Sequence, residues 1–162
     1  HSDTHSFPTR RSSDLENLNQ TLTFWLKEYS SGSIKLYFTY KGLRTRKENP
    51  ELFLSKEYIP MESDGKYFDN IVSFARRTSD KSLIMLSSRY FTEIKDEDNS
   101  IPFLGDKWKD TKLIIPEEIK ESVFKDIYTN TEIKVSKKGK IRYIDLKEVF
   151  IHLPYAILIS EK

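Results

Sequence analysis

The chain has 162 residues, no cysteine, and 27 Lys+Arg against 25 Asp+Glu, a net charge of +2 with the signs mixed throughout. These numbers exclude a disulfide framework and a thiolate metal site, and they lack the basic footprint of a nucleic-acid binder. No apolar run approaches the roughly 18 residues that span a bilayer, so a soluble protein is expected, and the lack of cysteine suits a reducing cytoplasm.

The first segment, HSDTHSFPTRRSSDL, has no apolar period and only Phe7 and Leu15 as large apolar residues. A secretory signal needs a run of apolar residues, and a transit peptide needs an amphipathic face poor in acids; neither is present. His5 to Asp14 back-translates, in one frame, to CAC TCT TTC CCT ACA CGA CGC TCT TCC GAT, the common short-read sequencing adapter. We therefore expect residues 1–15 to be translated adapter and disordered, joined to a gene fragment cut on its upstream side. Setting them aside removes Arg10, Arg11, Asp3 and Asp14, which leaves the charge unchanged, and leaves His152 as the one histidine. A multi-histidine metal site or a Cys/His dyad then has no residues to use.

Leu18, Leu22, Trp25, Leu26 and Tyr29 follow the spacing of an amphipathic helix, which SSGS at 30–33 breaks. The stretch 32–53 is ambiguous: Ile34, Leu36, Phe38 and Tyr40 alternate like a strand, but Tyr37 fills the other face and no turn comes before Asn49-Pro50, so a helix is predicted over Ser33–Glu48, apolar on much of its girth and buried at least in its first half. Beyond Phe53 the pattern turns to short extended runs: 58–61, 71–77, 82–88, 112–115, 123–129, 132–136, 141–146 and 155–160. Turns are expected at SDG (63–65) and KKGK (137–140), a charged loop at 95–100, and a helical turn at LKEVF (146–150). Runs of this length and spacing predict an antiparallel sandwich or barrel-like pair of sheets. The expected class is α+β, mostly β with two N-terminal helices.

Few residues offer chemistry. Asp96, Glu97, Asp98 and Asn99 cluster oxygen ligands but lack the calcium-loop spacing, and read as a solvated loop. Trp108, with Asp106 and Asp110 nearby, reads as a tryptophan covering one end of a sheet, with a sugar-stacking platform as the alternative. Lys137, Lys138 and Lys140 suit a solvated hairpin tip, with phosphate contact as the alternative. Arg44, Arg46, Arg76, Arg77 and Arg89 could pair with carboxylates between layers. Glu57, Glu62 and Asp64 are candidate acids by residue type alone. No catalytic, cofactor-binding or metal-binding residue is assigned.

Six pieces in order resemble the C-terminal end of the maltooligosyltrehalose synthase family, of the α-amylase clan and glycoside hydrolase family 13. They are GSIKLYFTYKGLRTRKENPELF, EYIPM, GKYFDNIVSFARR, WKDTKLIIP, FKDIYTN and PYAILI. Ser31 and Met61 depart from the family pattern, where Asp and Leu are expected. The resemblance implies that 16–54 are the last helices of a (β/α)8 barrel and 55–162 an antiparallel C-terminal β-sandwich domain. A barrel alone takes about 250 residues, so the three family carboxylates would lie upstream, and this fragment alone would be inactive. It also implies a maltooligosaccharide substrate bound through the missing barrel, packing against that barrel, and no metal or organic cofactor. The intact enzyme would isomerise the reducing-end α-1,4 link to α,α-1,1 in trehalose biosynthesis. Two rivals are the C-terminal domain of another α-amylase-clan hydrolase or transglycosylase, and a free-standing glucan-binding β module. No nucleic acid or membrane partner is expected.

Overall fold

Residues 7–89 and 104–160 are described by a computed structural model, with side chains from Asp14 onward. Three helices come first: α1 (Phe7–Lys27), α2 (Ser33–Glu48) and α3 (Pro50–Leu54). Strands follow as β1 (Tyr58–Pro60), β2 (Ser63–Asp64), β3 (Ile71–Arg77), β4 (Ser82–Ser88), β5 (Lys112–Ile114) and β6 (Val123–Asp126). The chain continues through β7 (Glu132–Lys134), β8 (Ser136–Lys138), β9 (Ile141–Asp145), the short α4 (Leu146–Val149) and β10 (Tyr155–Ser160). The expected α+β class is what the structure shows.

The strands form two antiparallel sheets, one ordered β1-β3-β4-β10-β6-β7 and the other β2-β5-β9-β8. Register decides which side chains meet. Ala75 lies opposite Ile84 and Ile84 opposite Leu158, so these three share one face. Together with Leu113 and Ile144, paired in the smaller sheet, they form the core between the sheets. The alternate residues Phe74, Met85 and Ile157 are also mutual partners and turn to the other face. There Leu83, Met85 and Ile157 pack under Leu22, Ile34 and Leu52 of the helices. The result is three layers: helices, large sheet, small sheet.

The helices are fastened to the large sheet by aromatic and polar contacts. Phe38 meets Tyr128 edge-on at 4.8 Å and Tyr155 at 5.3 Å, and Tyr37 sits 5.7 Å from Trp25. The Tyr37 hydroxyl donates to the Tyr128 carbonyl at 2.6 Å. Arg76 on β3 donates to the carbonyls of Phe53 and Ser55 at 3.0 and 2.9 Å, a cation placed where α3 leaves its carbonyls unpaired.

Several boundaries differ from the sequence reading. Residues 7–15, expected to be disordered, are helical here and extend α1 upstream. Pro8 fits a first helical turn, where its absent N–H is not needed, and lengthening a formed helix is easier than starting one. Asn49-Pro50 ends α2 as expected, but Pro50 also opens α3 as its first residue. Ser63–Asp64, read as turn, pairs with β5 through Ser63–Leu113 and Asp64–Lys112. The run 132–136 is two strands in different sheets, with the corner at Val135, whose N–H donates to the Ser122 carbonyl at 2.8 Å. The charged loop at 95–100 lies outside the described residues.

The first half of α2 is not wholly buried. Ile34 is covered, but Leu36 is 71% exposed and Tyr40 57%. Only one layer lies against this helix, so only one side of its apolar girth is buried.

Candidate functional site

Trp108 is fully buried, which removes it as a sugar platform. It closes a 3-10 turn at Gly105–Trp108 and packs at 6.2 Å edge-on to Tyr67 and 5.3 Å from Phe150. Its neighbours Asp110 and Thr111 have structural work. Asp110 Oδ1 accepts from the Lys66 N–H at 3.0 Å, and Thr111 Oγ1 from the Tyr67 N–H at 3.1 Å. Thus WKDT and GKY, 44 residues apart in sequence, clasp each other at the end of the sheets. Gly65 enters this clasp at φ 102°, with its α-carbon facing the Asp110–Thr111 backbone.

The candidate acids are not gathered into a site. Glu57 and Asp64 are exposed and contact Arg77 Nε at 2.8 Å and Lys112 Nζ at 3.4 Å. Glu62 is exposed as well. No environment separates a proton donor from a nucleophile among them. Asp96 to Asn99 lie outside the described residues. Among the described residues, no group of three or more His, Cys, Asp or Glu is placed to hold a metal ion. Lys137, Lys138 and Lys140 are exposed at the β8–β9 hairpin. There Lys138 pairs with Ile141 across a two-residue loop opened by Gly139 at φ 61°, a loop type whose first position favours glycine.

The arginines serve backbone more than carboxylates. Arg44 pairs with Glu48 one turn on at 2.7 Å. Arg76 holds the α3 exit, Arg77 also donates to the Glu118 carbonyl, and Arg89 Nε donates to the Asp69 carbonyl at 3.0 Å. Arg46 lines a dimple beside Pro50. An arginine with several carbonyl acceptors was not singled out by sequence. Arg142 on β9 donates to the carbonyls of Ile119, Lys120 and Glu121, the last at 2.6 Å. It thereby fixes the 119–122 loop against the smaller sheet. Arg142→Met should cost about 2 kcal/mol, because several carbonyls lose a charged donor. Urea unfolding measures this, and an unchanged midpoint would remove Arg142 from that role.

Asp126 was missed too. It ends β6 nearly fully buried, and its Oδ1 accepts from the Tyr128 N–H at 2.9 Å. Thr129 adds side-chain and backbone hydrogen bonds. Burial nevertheless dominates and pushes the carboxyl up to about 7, with Lys41 pulling the other way. The sequence signal was available in DIYTN: an aspartate bonding the backbone two residues on, then an asparagine with positive φ, is a turn. Asn130 has φ 57°. His152 is half-buried, and burial holds its imidazole below the usual range. It lines a groove of about 800 Å³ along α1 with Leu15 and Phe24.

Part of what the helical layer presents outward is apolar. Leu36, Tyr40 and Leu43 repeat at one-turn spacing on α2, each more than half exposed. Leu43 leads into a dimple of about 350 Å³ formed with Pro50, Phe53 and Leu54. Arg46 and Lys47 line the same dimple.

The fold is of the α+β class, with two antiparallel sheets and a helical layer. Two solved chains share the fold. One is maltooligosyltrehalose synthase from Arthrobacter ramosus, with a TM-score of 0.56 and 22% identity over 80% of this chain. The other is a mutant of the same synthase, with a TM-score of 0.55 and 19% identity over 87% of this chain. This chain spans only 14% and 17% of their lengths. No family model matches the chain, and no curated protein matches it. Among the described residues, no helix is long and apolar enough to cross a membrane.

Proposed function

We propose that this chain is the C-terminal module of a maltooligosyltrehalose synthase-like enzyme of the α-amylase clan, working in the cytoplasm. The intact enzyme would convert the reducing-end α-1,4 link of a maltooligosaccharide to α,α-1,1. The observation that carries the reading is the shared fold with two synthase chains, which spans both the helices and the sheets of this chain. The sequence resemblance supports it independently, since pieces such as WKDT and SFARR fall on positions that hold the layers together.

In this reading the module contributes architecture rather than chemistry. The α2–α3 strip docks on the catalytic barrel, which supplies the reacting carboxylates and binds the glucan. A glucan-gripping module built on Trp108 loses that residue to the core. The test is incubation of the purified chain with maltopentaose while reducing ends are followed, since forming the 1,1 link consumes one. No loss of reducing ends is expected; a steady loss would overturn the reading.

The strip makes a second prediction. The isolated chain should bind a hydrophobic dye and self-associate through Leu36, Tyr40 and Leu43. Leu36→Glu with Tyr40→Glu should suppress both while changing stability by less than about 0.5 kcal/mol, as exposed positions do. A parent chain that is monomeric and binds no dye would contradict the docking role.

A further inference from the structure

Helix α2 is nearly one-signed. It carries Lys35, Lys41, Arg44, Arg46 and Lys47 against a single acid, Glu48, although the whole chain is close to neutral at +2. Ile34 and Thr45, both buried, mark the side of the helix turned to the sheet. Helical geometry puts Leu36, Tyr40 and Leu43 together on the opposite side, and each is more than half exposed.

The cations are arranged around this row. Lys35 and Arg46 lie about three turns apart on one flank, and Lys47 closes its C-terminal end. All three are exposed, and their side chains make no ion pair among the described residues. On the other flank Arg44 is already matched by Glu48 at 2.7 Å. Leu43 opens into the dimple of about 350 Å³ walled by Pro50, Phe53 and Leu54, which has room for one large apolar side chain.

We infer that this face takes one helix of a protein partner, apolar along its centre, bearing one large side chain for the dimple, and edged with aspartate or glutamate opposite Lys35, Arg46 and Lys47. An apolar row one ridge wide matches the stripe of a second helix, and carboxylates along that helix complete the charge complementarity. The inference deepens the proposed function and rests on it for the partner's identity: a (β/α)8 barrel carries its helices as an outer ring, and in that reading the partner is one of them. Basic apolar helices also meet anionic lipid, but a lipid surface supplies no single anchor for the dimple. A second copy of this chain is the poorer occupant, because a symmetric contact sets the same cations against each other. Self-association of the isolated chain should therefore tighten as salt screens them.

The test is fluorescence anisotropy with the full chain and labelled synthetic helices of about five turns. Two helices share a leucine face with one phenylalanine and are edged with either glutamate or lysine. At about 50 mM salt the glutamate-edged helix should bind at least about tenfold more tightly, and about 0.5 M salt should erase most of that difference. Lys35→Glu with Arg46→Glu, both at exposed positions, should invert the order. Leu43→Glu, also exposed, should weaken both helices. Equal affinities in the parent chain, tighter binding of the lysine-edged helix, or binding untouched by Leu43→Glu would each overturn the inference. So would binding to phosphatidylglycerol vesicles with no response to either helix, which identifies a lipid surface instead. These arms contain no barrel and read no turnover, so their failure removes the acid-edged helix and leaves the synthase reading to the maltopentaose test.

Discussion

Gly65→Ala should destabilise the protein by about 3–4 kcal/mol, combining a strained backbone with a steric collision. At φ 102° an alanine is strained in any surroundings, and its Cβ would sit 2.6 Å from the Asp110 carbonyl oxygen and 2.7 Å from the Thr111 α-carbon. Both neighbours are backbone and cannot turn aside. Moving them would break the bonds from the Lys66 and Tyr67 N–H groups to Asp110 and Thr111, and would disturb Trp108, whose carbonyl accepts from the Thr111 N–H at 3.0 Å. Gly139→Ala is the internal control. It has positive φ but nothing within 4 Å of the new Cβ, so only the conformational cost of about 1 kcal/mol remains. Chemical unfolding of the two variants measures the difference. Equal losses would mean that the clasp between the two loops does not hold the small sheet in place.

Asp126 carries the second large effect, and its signature is pH. A carboxyl that is protonated up to about 7 in the folded chain but only to about 3.9 unfolded binds more protons when folded throughout that interval. Stability from this group is therefore fully present below the unfolded value and lost as pH rises through the folded one. The loss between about pH 4 and pH 8 is on the order of 3–4 kcal/mol. Asp126→Asn keeps an acceptor for the Tyr128 N–H and removes the titration, so it should overtake the parent above about pH 7 by roughly 2 kcal/mol. Asp126→Ala leaves the turn donors unpaired and should cost about 3 kcal/mol at pH 5. His152 acts in the opposite sense. Burial lowers its imidazole, so its contribution is present above the ordinary histidine value and lost as pH falls through the folded one. Subtracting the Asp126→Asn profile from the parent cancels that background. A parent whose difference from Asp126→Asn stays flat from pH 5 to 8 would show an ordinary, solvated carboxylate.

Local signals were legible in the sequence where a single element decided the outcome. Ser33–Glu48, Ile71–Arg77, Ser82–Ser88 and Tyr155–Ser160 coincide with α2, β3, β4 and β10. The strands are runs of strand length bounded by turn residues, and α2 is set by helix formers that run without a turn to Asn49-Pro50. The turn at Gly139 was equally local. What escaped was set by distant partners. Alternation runs unbroken through 132–136, so nothing in that stretch shows that its two halves join different sheets. Ser63–Asp64 is a strand only because β5 lies beside it.

The same division governs the site. Trp108 was read correctly as a core residue, because a tryptophan flanked by turn residues at a sheet end has a packing role more often than a binding one. Arg142 and Asp126 were passed over. An arginine in a strand gives no sign of the loop it organises until the chain has folded, whereas Asp126 has a local turn signal in DIYTN that reading 123–129 as one extended run hides. The open side of α2 was half visible: its girth is apolar, yet the sequence could not say which side the sheet would leave bare.

The central proposal is that this fold is the C-terminal module of a larger glucan-modifying enzyme. It is tested most directly by sequencing the source DNA immediately upstream of the codon for Glu16. The account predicts an open frame, continuous with this one, encoding an α-amylase-type barrel with its carboxylates. An initiation codon directly before Glu16, or a continuous frame encoding an unrelated protein, would contradict it.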